Sequence, residues 1–303
     1  KNADKEHDFE KDPIEAYVDG EWVKAKGTTL GSDNGIGMAS ALAVLASDDI
    51  KHGPLEVLLT IDEEAGMTGA FGLEAGYLDA EILINTDSEQ EGEIYMGCAG
   101  GVDAQISLPL SWQAPELSNQ SFKLTLSGIK GGHSGVNIHL GRGNANKLLA
   151  RFLFKYSDEL ALELVDFTGG SLRNAIPREA SISFMLPSEN VDALKQAISD
   201  FQAVVRAELA IADPSMLLTL VAIDAPAKVM GEDAQNCLID FLHACPNGVM
   251  RMSDEVAGVT ETSLNVGVIN TEQESVEILC LIRSLIDSGR DEVQGMLNAL
   301  ANL

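Results

Sequence analysis

Basic residues are scarce: 20 Lys and Arg stand against 47 Asp and Glu, for a formal net charge of −27. So few cations cannot neutralise a phosphate backbone, which excludes nucleic acid, and for the same reason an anionic membrane surface, as partners. Cysteine is sparse too. Cys98, Cys237, Cys245 and Cys280 are widely spaced and form no CxxC pair, so the chain reads as reduced and cytoplasmic, each thiol acting as a small buried hydrophobe. No apolar run approaches the ~18 residues of a membrane span, and no signal peptide opens the sequence.

What is present is ordinary for a globular protein: 303 residues, 45% hydrophobic and 22% charged, enough for two domains with separate cores. In the first third, helix formers at 35–47 follow the N-cap candidates Ser32, Asp33 and Asn34. The continuous apolar runs at 55–61 and 81–86, with a third at 93–98, predict strands covered on both faces, as in a mostly parallel α/β sheet with helices on both sides. After about residue 100 the texture changes. Clean alternation at 121–127 and 180–186 predicts an antiparallel sheet with one solvated face, and helical periodicity marks 144–164 and 191–209. Further strands are expected at 215–223, 263–269 and 276–282, with helices at 234–244 and from Asp291. The expected organisation is an α/β catalytic domain over 1–105 and an inserted α+β lid domain over 106–303, with the break near Gly100 to Pro115.

Acidic residues stand at the ends of predicted elements: Asp33 in LGSDNGIG, Glu63 and Glu64 in TIDEEAG, and Asp87 in INTDSE. Singly, an Asp before a helix is an N-cap and an Asp after a strand is a turn residue. Gathered at the carboxyl ends of sheet strands, they would repel one another unless a cation lay between them. A pair of divalent ions ~3.5–4 Å apart uses such a set, leaving one nearby carboxylate to take a proton from bound water.

GTTLGSDNGIGMAS, TIDEEAGMTGA, LINTDSE, GIKGGHSG, GGSLRNAIP and ETSLNVGVI together resemble the M20 family of metallopeptidases, in its bacterial aminoacyl-histidine dipeptidase branch. The resemblance runs from end to end. It implies a dipeptidase with two Zn2+ ions per intact site, Co2+ or Mn2+ being alternatives: Asp33 bridging the metals, Glu64 on one, Asp87 on the other, and Glu63 as general base. It also implies that His133 stabilises the oxyanion and that the second domain is a lid that pairs in a homodimer; Asn174, before a predicted strand, would bond the same oxygen or the peptide, a turn residue being the alternative. Arg283, after an apolar strand, suits the carboxylate of a dipeptide, with an ion pair to Asp287 or Glu277 as the other option. The family's two histidine ligands have no counterpart. His7 reads as a surface residue, His52 as a loop residue and His243 as partly buried in a helix, so the expectation is an internal fragment with weak activity of its own. The alternatives are an N-acyl amino acid amidohydrolase of the same fold and a noncatalytic acidic protein binding cations or a partner.

Overall fold

The structure is a computed structural model and describes residues 5–63, 66–88, 92–95, 97–116 and 118–302. It contains two compact units, Lys1–Met96 and Gly97–Leu303.

The first unit opens with a hairpin of β1 (Ala16–Asp19) and β2 (Trp22–Ala25). Helix α1 (Gly35–Ala46) starts where expected, and among the three cap candidates Asn34 does the work: its Oδ1 accepts from the Gly37 N–H at 2.8 Å. A single turn, α2 (Thr68–Phe71), follows. The runs 55–61, 81–86 and 93–98 were expected as strands, and among the described residues they form no ladder. Ile82, Leu83 and Ile84 are 81%, 84% and 77% exposed. Continuous apolarity reports a need for cover on both faces, whereas a strand exists only through a hydrogen-bonded neighbour, and none of the described residues supplies one to them.

The second unit begins with β3 (Gly100–Pro109), which pairs antiparallel with β14 along its whole length. The segment read as an interdomain link is therefore an edge strand of the sheet, and the unit boundary lies before it. Then come β4 (Trp112–Gln113), β5 (Gln120–Ser127), β6 (Gly132–His133), α3 (Ala145–Leu160), β7 (Glu163–Gly169), β8 (Ala175–Ile176) and β9 (Ala180–Leu186). Helix α4 (Val191–Glu208) leads to β10 (Leu217–Ala222), β11 (Val229–Met230) and α5 (Glu232–Ala244). Strands β12 (Gly248–Met252), β13 (Thr260–Thr271) and β14 (Ser275–Ser284) precede α6 (Asp287–Ala301). The main sheet runs β10-β5-β9-β7-β13-β14-β3, with β12 beside β13, and its pairings are antiparallel.

Alternation explains the layering. In β5, Leu124 and Leu126 are fully buried with Ile182 and Phe184 of β9, and they share one core with Leu149, Phe152 and Leu153 of α3 and Phe201 of α4. Phe152 packs edge-on to Phe201 at 5.4 Å between ring centroids; truncating it to Ala would cost about 3–5 kcal/mol. The other sheet face is hydroxylated, because register places Lys123, Ser183 and Asp166 in one row and Thr125, Ser181 and Thr168 in the next. Two of the four thiols depart from expectation: Cys245 and Cys280 are buried, while Cys98 and Cys237 are exposed. His243 is exposed rather than part-buried, stacked on Phe154 at 3.7 Å.

Candidate functional site

In the first unit a side chain joins two of the expected positions. Asn34 Nδ2 donates to the Thr86 carbonyl at 2.8 Å, so the residue after Asp33 is tied to the residue before Asp87. The Asp33–Asn34 peptide is cis. The Asp87 N–H is held by Asn85 Oδ1 at 2.7 Å, an Asx turn at the end of that segment. Glu63 lies in a turn built by its neighbour: the Asp62 carbonyl accepts from Gly66 at 3.3 Å and Met67 at 2.6 Å, and Asp62 Oδ2 accepts from Thr68 Oγ1 at 2.8 Å. Asp62, the first of the three consecutive acids, is thus a structural residue. Asp33, Glu63 and Asp87 are all exposed, and Glu64 lies outside the described residues. Among the described residues, no group of three or more His, Cys, Asp or Glu side chains is gathered to hold a metal ion.

In the second unit the three expected positions do come together, although they are far apart in sequence. Strands β6 and β8 pair His133 with Ala175, and the Ser134 N–H donates to the Asn174 carbonyl at 2.8 Å. His133 Nδ1 accepts from the Gly135 and Val136 N–H groups at 3.2 and 3.1 Å. Two donors on Nδ1 leave the proton of the neutral ring on Nε2. Nε2 stands 3.5 Å from Arg283 Nη2, and Arg283 Nε reaches Ser134 Oγ at 3.4 Å. Two donor groups therefore lie side by side, an arrangement that one acceptor oxygen would bridge.

The close approach depends on glycine. A Cβ at Gly135 would lie 3.2 Å from His133 Cε1 and 3.3 Å from Arg283 Nε, so a side chain there would press the two apart. Burial draws Arg283 below its ordinary pKa, with the Asp103 carboxylate and Cys98 opposing; a guanidinium remains charged regardless. The suggested ion pairs of Arg283 are not formed. Asp287 pairs with Arg290 at 2.9 Å, and Glu277 is occupied by Gln105, Ser107 and Ser275.

Sequence reasoning missed the residues that hold this cluster. Asn265, 1% exposed, donates to the carbonyls of Arg173 at 2.9 Å and Ala175 at 2.8 Å, on either side of Asn174. Asn137 Oδ1 accepts from the His133 N–H at 2.9 Å, and Asp103 pairs with Arg173 Nε at 2.7 Å. Only Asn137, four residues after a Gly-Gly-His turn, carries a local signal, that of an Asx-type loop.

Residues 124–213 match the model of the M20 peptidase dimerisation domain. Over all 303 residues the chain is 57% identical to the cytosol non-specific dipeptidase of Escherichia coli (strain K12), of which it covers 62%. Residues 124–213 therefore carry an M20 peptidase dimerisation domain, and the whole chain is similar to part of a dipeptidase. The crystal structure of aminoacylhistidine dipeptidase from Vibrio alginolyticus matches with a TM-score of 0.75 at 60% identity, over 100% of this chain and 62% of that one. The fold is therefore the M20 fold, with parts of both the catalytic domain and the dimerisation lid. A shorter likeness, 35% identity over 80 residues, covers 25% of the chain and 22% of the uncharacterized protein YqjE of Bacillus subtilis (strain 168). The chain thus spans 62% of the length of each of the two dipeptidases.

Proposed function

We propose that this chain supplies the base-bearing segment and the dimerisation lid of a metal-dependent dipeptidase acting on dipeptides such as Xaa-His. The observation that carries the reading is the 57% identity to a dipeptidase sustained along all 303 residues. Glu63 is the general base. His133, its proton on Nε2, donates to the carbonyl oxygen of the scissile bond as negative charge develops there, with Asn174 alongside. Arg283 receives the terminal carboxylate of the dipeptide, a pairing suited to a guanidinium fork. This also accounts for how a chain of charge −27 admits an anionic substrate.

Two zinc ions, or cobalt or manganese, are assigned to Asp33, Glu64 and Asp87. These are carboxylates alone, and the described residues gather no group of three donors; three such ligands without imidazole suit harder ions better than zinc. The chain as described therefore does not by itself make a fitting zinc site. A zinc ion at a complete site would bring the pKa of its bound water to about 7. The same reading makes the protein a cytoplasmic homodimer that pairs through the lid, as the likeness to a cytosol dipeptidase and the match to a dimerisation domain support. Among the described residues no helix is long and apolar enough to cross a membrane.

The reading is tested by Arg283→Ala in the whole protein. KM for free dipeptides rises far more than KM for carboxyl-amidated analogues; equal effects on both would remove Arg283 from substrate binding. Glu63→Ala abolishes turnover while metal content is retained, whereas full hydrolysis by that variant would refute the assignment of the base. For the 303-residue chain alone, metal analysis after dialysis should find less than two zinc ions per chain.

A further inference from the structure

A second feature of the lid unit is independent of the hydrolase reading. On the hydroxylated side of the sheet, between β5, β7, β9 and the loops at 130–132 and 170–178, lies a cavity of about 660 Å3. That is within the ordinary range for small-molecule sites. Its lining reverses the charge balance of the chain: Lys123, Lys130 and Arg178 against the single acid Glu179, where the whole sequence has 20 cations to 47 acids.

The three cations are not spent on the protein. Among the described residues, none of them makes an ion pair or a side-chain hydrogen bond, although nine other Lys and Arg residues do find carboxylates. Asp166 shares a sheet row with Lys123 and interacts with it electrostatically. Between the cations the wall offers the hydroxyls of Thr125 and Ser181 and the glycine-rich turns at 131–132 and 169–170, while the Thr168 hydroxyl donates to Asp166 at 3.3 and 3.2 Å. Hydroxyls and cations that no carboxylate pairs are the chemistry that binds oxyanions. The field of a chain with charge −27 repels anions at long range. Screening confines that field to roughly 8 Å at physiological ionic strength, so local cations decide what the cavity accepts.

We propose that this cavity is a binding site for a small multivalent oxyanion, a phosphate- or polycarboxylate-bearing molecule, held by Lys123, Lys130 and Arg178. Gly132 and Ala175, which line it, are a chain neighbour and the register partner of His133. The ligand therefore binds at the hairpin that also carries part of the candidate catalytic cluster.

Isothermal titration calorimetry of the 303-residue chain at constant ionic strength, with inorganic phosphate and with citrate as separate probes and sodium chloride as the control, tests this. Saturable binding of one of the two anions per chain is expected, and whichever binds identifies the source of the charge. Lys130→Gln and Arg178→Gln, both at exposed positions, should each weaken it by about tenfold, the loss of one charge-assisted contact. Lys195→Gln, elsewhere on the surface, should leave it unchanged. Absence of saturable heat for both anions up to about 10 mM, well beyond the millimolar range of weak specific sites, would overturn the proposal. So would binding that both cavity variants leave intact.

Discussion

Replacing Asn265 by Ala should loosen the loop that carries Asn174 before it weakens anything else. Asn265 is 1% exposed and its amide donates to the carbonyls of Arg173 and Ala175 at 2.9 and 2.8 Å, while Asn144 Nδ2 approaches its Oδ1 at 3.4 Å. Each net hydrogen bond contributes about 1 kcal/mol, and each buried carbonyl left without a donor costs about 1–3 kcal/mol. Part of that cost is recovered when water enters the space vacated by the side chain, so the loop should lose about 2–4 kcal/mol of local stability. Hydrogen exchange reads this directly. The Ser134 amide, bonded to the Asn174 carbonyl at 2.8 Å, and the Ala175 amide, bonded to the Leu172 carbonyl at 3.2 Å, should exchange roughly 30- to 1000-fold faster. The Leu124 amide, in the β5–β9 core, should be little changed. Asn265→Asp preserves shape but offers acceptors to acceptors, and should open the same amides at least as far. Exchange at Ser134 and Ala175 within about threefold of the parent in both variants would refute the role given to Asn265.

Gly170→Ala should be among the more damaging single changes. Its φ is +72° and a Cβ would fall 1.9 Å from the Gly267 carbonyl oxygen, so strain and overlap together should cost about 2–4 kcal/mol in urea denaturation; a loss below about 0.5 kcal/mol would contradict this backbone geometry. Lys147 packs its ammonium against the carbonyls of Leu242, His243 and Cys245 at the end of α5, and burial lowers its pKa. Lys147→Met should destabilise by about 2–3 kcal/mol, whereas Lys195→Met, at a solvent-exposed pair with Asp192, should change stability by less than about 0.5 kcal/mol. Glu277 is held below the ordinary carboxylate range by hydrogen bonds from Ser107, Ser275 and Gln105. Its folded-state pKa is depressed, so its contribution is present above the unfolded value and lost as pH falls through the folded one. Glu277→Gln should lower Tm at neutral pH and match the parent once both are acidified well below the usual carboxylate range; a Tm difference independent of pH would show that ionisation is irrelevant there.

The lid was legible where one face of an element is packed and the other is wet. Residues 180–186 alternate because Ile182 and Phe184 share the core with α3 while Ser181, half-buried, and Ser183 point to the opposite, hydroxylated face, and β9 has the expected bounds. Strand β7 escaped detection because its pairing with β9 shifts register between Leu164 and Asp166; a bulge breaks the period of two on which strand reading depends. Its first residues were absorbed into the helix expected to reach 164, which ends at Leu160. The apolar runs of the first unit illustrate the converse limit. Hydrophobicity there records that something must cover the chain, not which segment does.

The cluster around His133 shows why a site is harder to read than the sheet that builds it. Register sets Arg283 opposite Gly101 of β3 and Ser263 of β13, and Leu281 opposite Asp103 and Asn265. Arg283, Asp103 and Asn265 consequently share one face of three adjacent strands, because side chains opposite one another or two residues apart point the same way. Each then acts on the same pair of loops: Arg283 beside His133, Asp103 on Arg173, and Asn265 on the carbonyls flanking Asn174. That convergence requires the 173–175 loop to lie directly on β13. Gly267, at the register shift between Val266 and Val268, permits it, since a Cβ there would lie 2.7 Å from Arg173 Cα. In the sequence Gly267 is one glycine in an apolar run, and Asn265 one polar residue two positions earlier. Their meaning is fixed by residues nearly a hundred positions away, which is why periodicity located the strand while the support for the site became visible only with the pairing register.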